Sequence, residues 1–111
     1  MATQTFKRLV QRNCGVTRVR VGNYTVPAAT TAIVVGMSIC NIIAASAQVT
    51  LDHDDGATPT RFIKAIPVTP AQTLAPLGEM NKLILETGDG IFVTSDTAAA
   101  FDVIVSILEL A

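Results

Sequence analysis

The chain has 111 residues, a formal net charge of −1 and a hydrophobic fraction of 50%. These totals fit one ordinary domain with an aliphatic core, and the balanced charge argues against a globally basic nucleic-acid binder. With four Phe, one Tyr and no Trp, the core is thin, and burial against neighbouring subunits is a natural supplement for so small a domain.

Charge is distributed unevenly along the chain. Lys7, Arg8, Arg12, Arg18 and Arg20 stand in the first twenty residues with no acidic residue among them, whereas the remainder holds Arg61, Lys64, Lys82 and all nine carboxylates. Residues 1–15 read as an extended basic N-terminal arm, and residues 16–111 as a single β-sandwich domain. Lys7, Arg8 and Arg12 are the anchoring residues expected of such an arm on an acidic surface of another subunit. The plainer alternative is a solvated strand face. No aromatic platform accompanies these cations, so nucleic acid is not an expected partner. The first fifteen residues also lack the apolar run of a cleavable signal.

Past the arm, "TRVRVGNYTV" (Thr17–Val26) alternates at first, with Val19 and Val21 to one side and Arg18 and Arg20 to the other, and Pro27 ends it. "TTAIVVGMSICNII" (Thr30–Ile43) reads as a strand with Ile33, Val35, Met37 and Ile39 inward and the smaller Val34, Gly36, Ser38 and Cys40 opposite. The apolar run Ala32–Ala47 also raises a membrane-spanning helix. At 16 residues it falls short of the roughly 20 that a span needs, and its β-branched side chains favour a strand. No membrane partner is expected.

"QVTLDH" (Gln48–His53) alternates with Val49 and Leu51 inward, and "DDGATPT" (Asp54–Thr60) is a loop. "RFIKAIPV" (Arg61–Val68) is a strand that Pro67 marks as an edge or an ending. A proline-punctuated connection follows over Thr69–Gly78. "NKLILE" (Asn81–Glu86) and "GIFVTS" (Gly90–Ser95) flank "ETGDG", and "FDVIVSILEL" (Phe101–Leu110) is apolar on both faces, as a central or interface strand should be. Phe101, Val103, Val105 and Ile107 are its expected core or subunit contacts. Short strands at regular spacing, with no sustained helical stripe, predict an all-β fold: a compact antiparallel sandwich of about 7–8 strands, jelly-roll-like.

Three stretches invite a chemical reading. In "ETGDG", glycines bracket an aspartate between strand-like segments, which a corner explains in full, whereas a phosphate loop would need a helix to follow. "DHDDG" (Asp52–Gly56) sets three carboxylates beside the single His, but its spacing does not fit a calcium loop. A solvated acidic strand end is the plain reading; an ion at Asp52–Asp55 or an acidic docking patch are the alternatives. Cys14 and Cys40 match no zinc spacing and read as inert thiols, with an intramolecular or intersubunit disulfide as the alternative. No nucleophile stands in a recognisable motif with His53. Neither catalysis nor a cofactor is expected.

The run "YTVPAATTAIVVGMSICNI", then "VTLDH", then the stretch from "IKAIPVTPAQTL" to "FDVIVSILEL", resembles a loose group of small bacteriophage virion proteins. The shared features fall at Tyr24–Pro27, Ile33–Asn41, Val49–His53, Ile66–Thr73, Leu83–Ser95 and Phe101–Leu110, so the resemblance covers residues 17–110. It implies an all-β structural subunit assembled into a virion in a bacterial host's cytoplasm. The role implied is capsid decoration or cement. Expected partners are its own copies, as a trimer, and other virion proteins such as the major capsid protein. A neck, collar or tail accessory is the nearest alternative. A host-surface or carbohydrate-binding module is a further one, disfavoured by the scarcity of aromatics for stacking on sugars. The group supplies no catalytic residues, and neither "DHDDG" nor the cysteines belong to its pattern.

Overall fold

The computed structural model describes residues 4–70, 72–74 and 83–111. Its strands are β1 (Gln4–Cys14), β2 (Val19–Arg20), β3 (Thr31–Asn41), β4 (Ala47–Asp54), β5 (Pro59–Val68), β6 (Thr73–Leu74), β7 (Leu83–Leu85), β8 (Gly90–Ser95) and β9 (Phe101–Leu110). One short 3₁₀ turn, Val21–Asn23, interrupts the series. Asn81, Lys82 and half of the Thr69–Gly78 connection (71 and 75–78) lie outside the described residues.

Two antiparallel sheets form the sandwich. The first runs β1-β9-β3, with β6 and β7 both pairing with β3, and the second runs β2-β8-β4-β5. β7 meets β3 at Ala32–Val34 and β6 meets it at Ile39–Cys40, so the two short strands share one edge position. The chain therefore crosses repeatedly between sheets, and eight strand positions fall into two layers of four. This is the jelly-roll arrangement anticipated from the strand spacing.

The core follows from the period of two. On β9, Phe101, Val103, Val105 and Ile107 point inward and are fully buried. Val49 and Leu51 on β4, and Ile91 and Val93 on β8, meet them from the second sheet. Burying each such side chain stabilises by about 1.5–3 kcal/mol. β9 lies between β1 and β3, as its two apolar faces suggested. No helix of the described residues is long and apolar enough to cross a membrane, and the run Ala32–Ala47 is most of β3, the turn after it and the first residue of β4.

Two expectations need correction. The first concerns the arm, because residues 4–14 are β1, paired with β9 from Gln4↔Leu110 to Cys14↔Phe101. Leu9 and Cys14 of β1 are buried in the core. The second concerns β3, which does not keep one inward face. Val34 pairs with Ile107 and Gly36 with Ser106, so Val35 is an extra residue in the ladder. This bulge reverses the alternation. Val34, Met37 and Ile39 are buried, whereas Ile33 is only partly covered and Val35 is exposed.

Bulges also shape both long edge strands. β5 carries one between Val49/Leu51 and another between Leu51/Asp52 of its partner, with Ala65 at a φ of 52°. Together with Arg61, Lys64 and Pro67 these features keep β5 from pairing with another edge. β1 shifts register between Gln11 and Cys14, with Asn13 at a φ of 53°.

Candidate functional site

Two of the features that carry the sequence resemblance, Tyr24–Pro27 and the turn within Leu83–Ser95, meet in space. Val26 donates its N–H to the Asp89 carbonyl at 3.0 Å, and Gly88 donates back to the Val26 carbonyl at 3.0 Å. The Thr87 hydroxyl lies 3.1 Å from the Pro27 carbonyl and 3.0 Å from that of Thr30. Gly88 holds a φ of 91°, which a side chain would strain. "YTVP" and "ETGDG" are thus one joint. β7 belongs to the first sheet and β8 to the second, so the joint is a corner between sheets rather than a hairpin.

Asp89 closes that corner. It is buried, its Oδ2 accepts the Glu86 N–H at 2.8 Å, and the same oxygen lies 2.8 Å from His53 Nε2. Among the described residues His53 has no serine or cysteine within hydrogen-bond reach. The pair is a side-chain strut between β4 and the corner.

The acidic stretch is spoken for within the chain. Arg18 grips Asp52 through Nε at 3.1 Å and Nη2 at 2.6 Å, and Nη2 also reaches Asp54 at 2.7 Å. The hydrogen bond from Arg18, then that from the Gly56 N–H, holds the Asp54 carboxyl below the usual range. Asp55 is lowered by the N–H groups of Thr58 and Ala57. Among the described residues no three metal-ligating side chains converge.

Arg18 and Arg20 also stack on Phe92, with guanidinium carbons 3.7 and 4.5 Å from the ring centroid. Cross-strand pairing then sets Arg20, Phe92, Asp52 and Arg61 in one row over the second sheet. The outer face of that sheet is charged, and its carboxylates Asp52 and Asp54 are paired with Arg18.

The outer face of the first sheet is different. Pairing aligns Phe6 on β1, Leu108 on β9, Ile33 on β3 and Ile84 on β7 in a row four strands wide. Phe6 is 76% exposed and Ile84 59%; on the same face Val35 is 42% exposed, and Ile104, beyond the row of Arg8, Ser106 and Gly36, is 46% exposed. Among the described residues, four of the seven large hydrophobic side chains that are exposed thus lie on this one face. Scattered apolar residues on a surface need no explanation, but a contiguous patch does.

The residues singled out from the sequence fall in different places. Phe101, Val103, Val105 and Ile107 are core and cannot touch a partner, because they occupy the inward parity of β9. Its outward parity carries Asp102, Ile104, Ser106, Leu108 and Leu110. Lys7 turns inward beside Ile107, lies 3.3 Å from Glu109 and sits over the Tyr24 ring. The Tyr24 hydroxyl donates to Glu109, and burial, then that bond, pushes the phenol up. Arg8 and Arg12 are exposed and have no carboxylate within 4 Å among the described residues. Cys14 and Cys40 are both free thiols. Cys14 faces the core on β1 and Cys40 faces outward on β3, with β9 between them. Two strand spacings of about 4.8 Å already exceed the reach of a disulfide. Burial and the nearby Asp102 push Cys14 up to about 11. A shallow groove of about 290 Å³, with Arg12, Cys14 and Val16 in its lining, contains no acidic side chain.

Sequence reasoning missed Asn41 and Asp89. Asn41 is buried at the end of β3, donates to the carbonyls of Ala45 and Val68 at 3.0 and 2.9 Å, and accepts the Ile43 N–H at 2.9 Å. A polar residue closing an apolar run was the available signal.

No protein-family model and no curated protein matches the chain. Among solved structures it is similar to a protein of Bacillus endospore appendages, described as a novel family of disulfide-linked pili. That match has a TM-score of 0.56 and 12% identity, over 97% of this chain and 86% of the other. A weaker likeness is to the virus-like particle of extra small virus of the giant freshwater prawn Macrobrachium rosenbergii. Its TM-score is 0.48 at 9% identity, over 98% and 79% of the two chains. Another is to a pentameric capsid protein from metagenomic phage sequences, with a TM-score of 0.43 and 17% identity, over 91% and 59%. The first is a likeness of fold, and the two weaker ones carry no argument.

Proposed function

We propose that this chain is a non-enzymatic structural subunit of a virus particle, most specifically a decoration or cement subunit on a bacteriophage capsid. The observation that carries this reading is the apolar outer face of the first sheet, which a free monomer would leave in water. Three further points support it. The sequence resembles phage virion proteins over residues 17–110, and two of its shared features, Tyr24–Pro27 and the turn within Leu83–Ser95, form one structural joint. The jelly-roll order is an architecture that capsid domains use, among other proteins. The chemically suggestive groups, Asp52, Asp54, His53 and Asp89, are engaged with one another or with Arg18. Its partners are then its own copies, expected from the sequence as a trimer, and other virion proteins such as the major capsid protein.

A subunit of a pilus-like filament is the second reading, favoured by the fold shared with the endospore-appendage protein. Mass spectrometry of purified particles separates the two. The virion reading expects peptides of this chain in particles of the virus that encodes it, at many copies each. Their absence from particles, with filaments of the pure chain in electron micrographs, would favour the second reading.

A further inference from the structure

The geometry points to the free edge of β1 as a docking site for an extended acidic strand of a different protein. The inference rests on the reading of the chain as a structural subunit of a particle, and it names the chemistry of the partner that the subunit fits. Among the described residues each sheet has two edges. β2, β6 and β7 supply only two or three residues each to theirs. β5 is long, but two bulges, the positive φ of Ala65 and the ring of Pro67 interrupt it. β1 is different. It pairs with β9 in unbroken register from Gln4 to Gln11, and its other edge makes no main-chain hydrogen bond among the described residues. Gln4, Thr5, Phe6, Lys7 and Arg8 are exposed in succession, so this end of the strand is open on both faces. Its free N–H and C=O groups are a template for one more strand.

Charge decides what that strand is. β1 carries Lys7, Arg8 and Arg12 and no carboxylate. Two β1 strands laid edge to edge would bring cations together with no carboxylate in any register, which disfavours that pairing. Lys7 is committed to Glu109. Arg8 is exposed and has no carboxylate within 4 Å among the described residues. It stands on the outward parity between Phe6 and Val10, with Ser106 opposite it on β9.

A strand added to this edge meets Phe6, Arg8 and Val10 at every second residue. The complement is a carboxylate with an apolar residue two positions to either side. Of the chain's own carboxylates only Asp102, between Ala100 and Ile104, and Glu109, between Ile107 and Ala111, have that setting. Both lie on β9, which already pairs with β1 on one edge and β3 on the other. The occupant is therefore another protein, with an extended segment that reads apolar, acidic, apolar at alternate positions. Main-chain bonds supply the affinity of such an added strand, and its alternate side chains supply the specificity. The pairing also covers Phe6, which is otherwise 76% exposed.

An acetylated and amidated peptide, Thr-Val-Thr-Glu-Thr-Val-Thr, titrated into the isotope-labelled full chain and followed by NMR, tests this. Amide signals of residues 4–11 should shift, while those of β5 stay in place. Exchanging the peptide's Glu for Lys, or R8E in the chain, should weaken binding by about tenfold. The Lys peptide and R8E together should restore it, with circular dichroism of R8E as the fold control. Methylating the peptide nitrogens that face β1 should abolish binding, and methylating the alternate set should not. A peptide that shifts no β1 signal at millimolar concentration, or that binds alike whatever its charge and whichever nitrogens are methylated, would overturn the inference. Concentration-dependent shifts of the same β1 signals without peptide would make a second copy the occupant and overturn it too. A chain missing from particles that still binds the acidic peptide would remove the virion reading and leave this site standing. A chain present in particles that ignores the peptide would do the reverse.

Discussion

At the scale of single residues, the charges this chain segregates in sequence are reunited in the fold. Arg18 is the hinge of that reunion, since it ion-pairs Asp52 and Asp54 and covers Phe92. Because Asp52 is buried while Arg18 stays more than a third exposed, Arg18→Ala should cost about 1–3 kcal/mol, the penalty of leaving a buried carboxylate underpartnered. Arg18→Lys should recover only part, since Lys lacks the two-pronged geometry. Urea melts of both variants read this directly. The carboxyls of Asp54, Asp55 and Asp96 all lie below 3.8 in the folded chain, through bonds chiefly from Arg18, the Thr58 N–H and the Gln48 N–H respectively. Near pH 4 and below the unfolded chain therefore binds more protons, and stability present at neutral pH is lost as pH falls through the folded values. At the alkaline end, the Cys14 thiol is held up from 9.0 to about 11, so the folded chain binds the extra proton and stability declines between those values. Thermal melts should show lower midpoints at pH 3 and at pH 11 than at pH 7. The uneven charge was legible in the sequence. That Arg18 and Lys7 serve their own chain was not, because their partners lie 34 and more positions away.

At the scale of elements, the strands that kept strict alternation were legible and the bulged ones were not. Val49 and Leu51 on β4, and the double apolar character of β9, read correctly because the pleat is regular there. β3 misled at Ile33–Val35 because one extra residue reverses parity, and nothing in "AIVVGM" marks where it sits. β1 misled because its inward positions are Thr5, Lys7, Leu9 and Gln11, a polar set that hides a strand until Glu109 and Tyr24 are placed beneath Lys7. Removing residues 1–15 should therefore expose the edge of β9 and uncover the core beside Leu9 and Cys14. A marked loss of strand signal by circular dichroism, or a large drop in melting temperature, is expected. An unchanged spectrum and midpoint would show β1 to be dispensable after all. Within β9, Phe101→Ala should cost about 3–5 kcal/mol, measured by denaturant unfolding, since Phe101 is the largest fully buried side chain. Ile104→Ser, on the outward parity of the same strand, should cost far less.

At the scale of the whole molecule, the sandwich has one face that is finished and one that is not. Arg18, Arg20, Phe92 and Asp52 close the outside of the second sheet, whereas Phe6, Ile33, Ile84 and Leu108 leave the outside of the first sheet apolar across four strands. The jelly-roll order was within reach of the sequence, because turn signals and strand lengths count the layers. The apolar outer row was not, because its members lie on four strands and only pairing brings them into line. The most direct test of the central claim, a structural subunit that works by covering this face, is electron cryo-microscopy of purified particles. The account predicts density for this jelly roll on the particle, with Phe6, Ile33 and Ile84 buried against protein and the Arg18–Phe92–Asp52 face turned to solvent. Particles without this density, or with the apolar row open to water and the charged face docked, would contradict it.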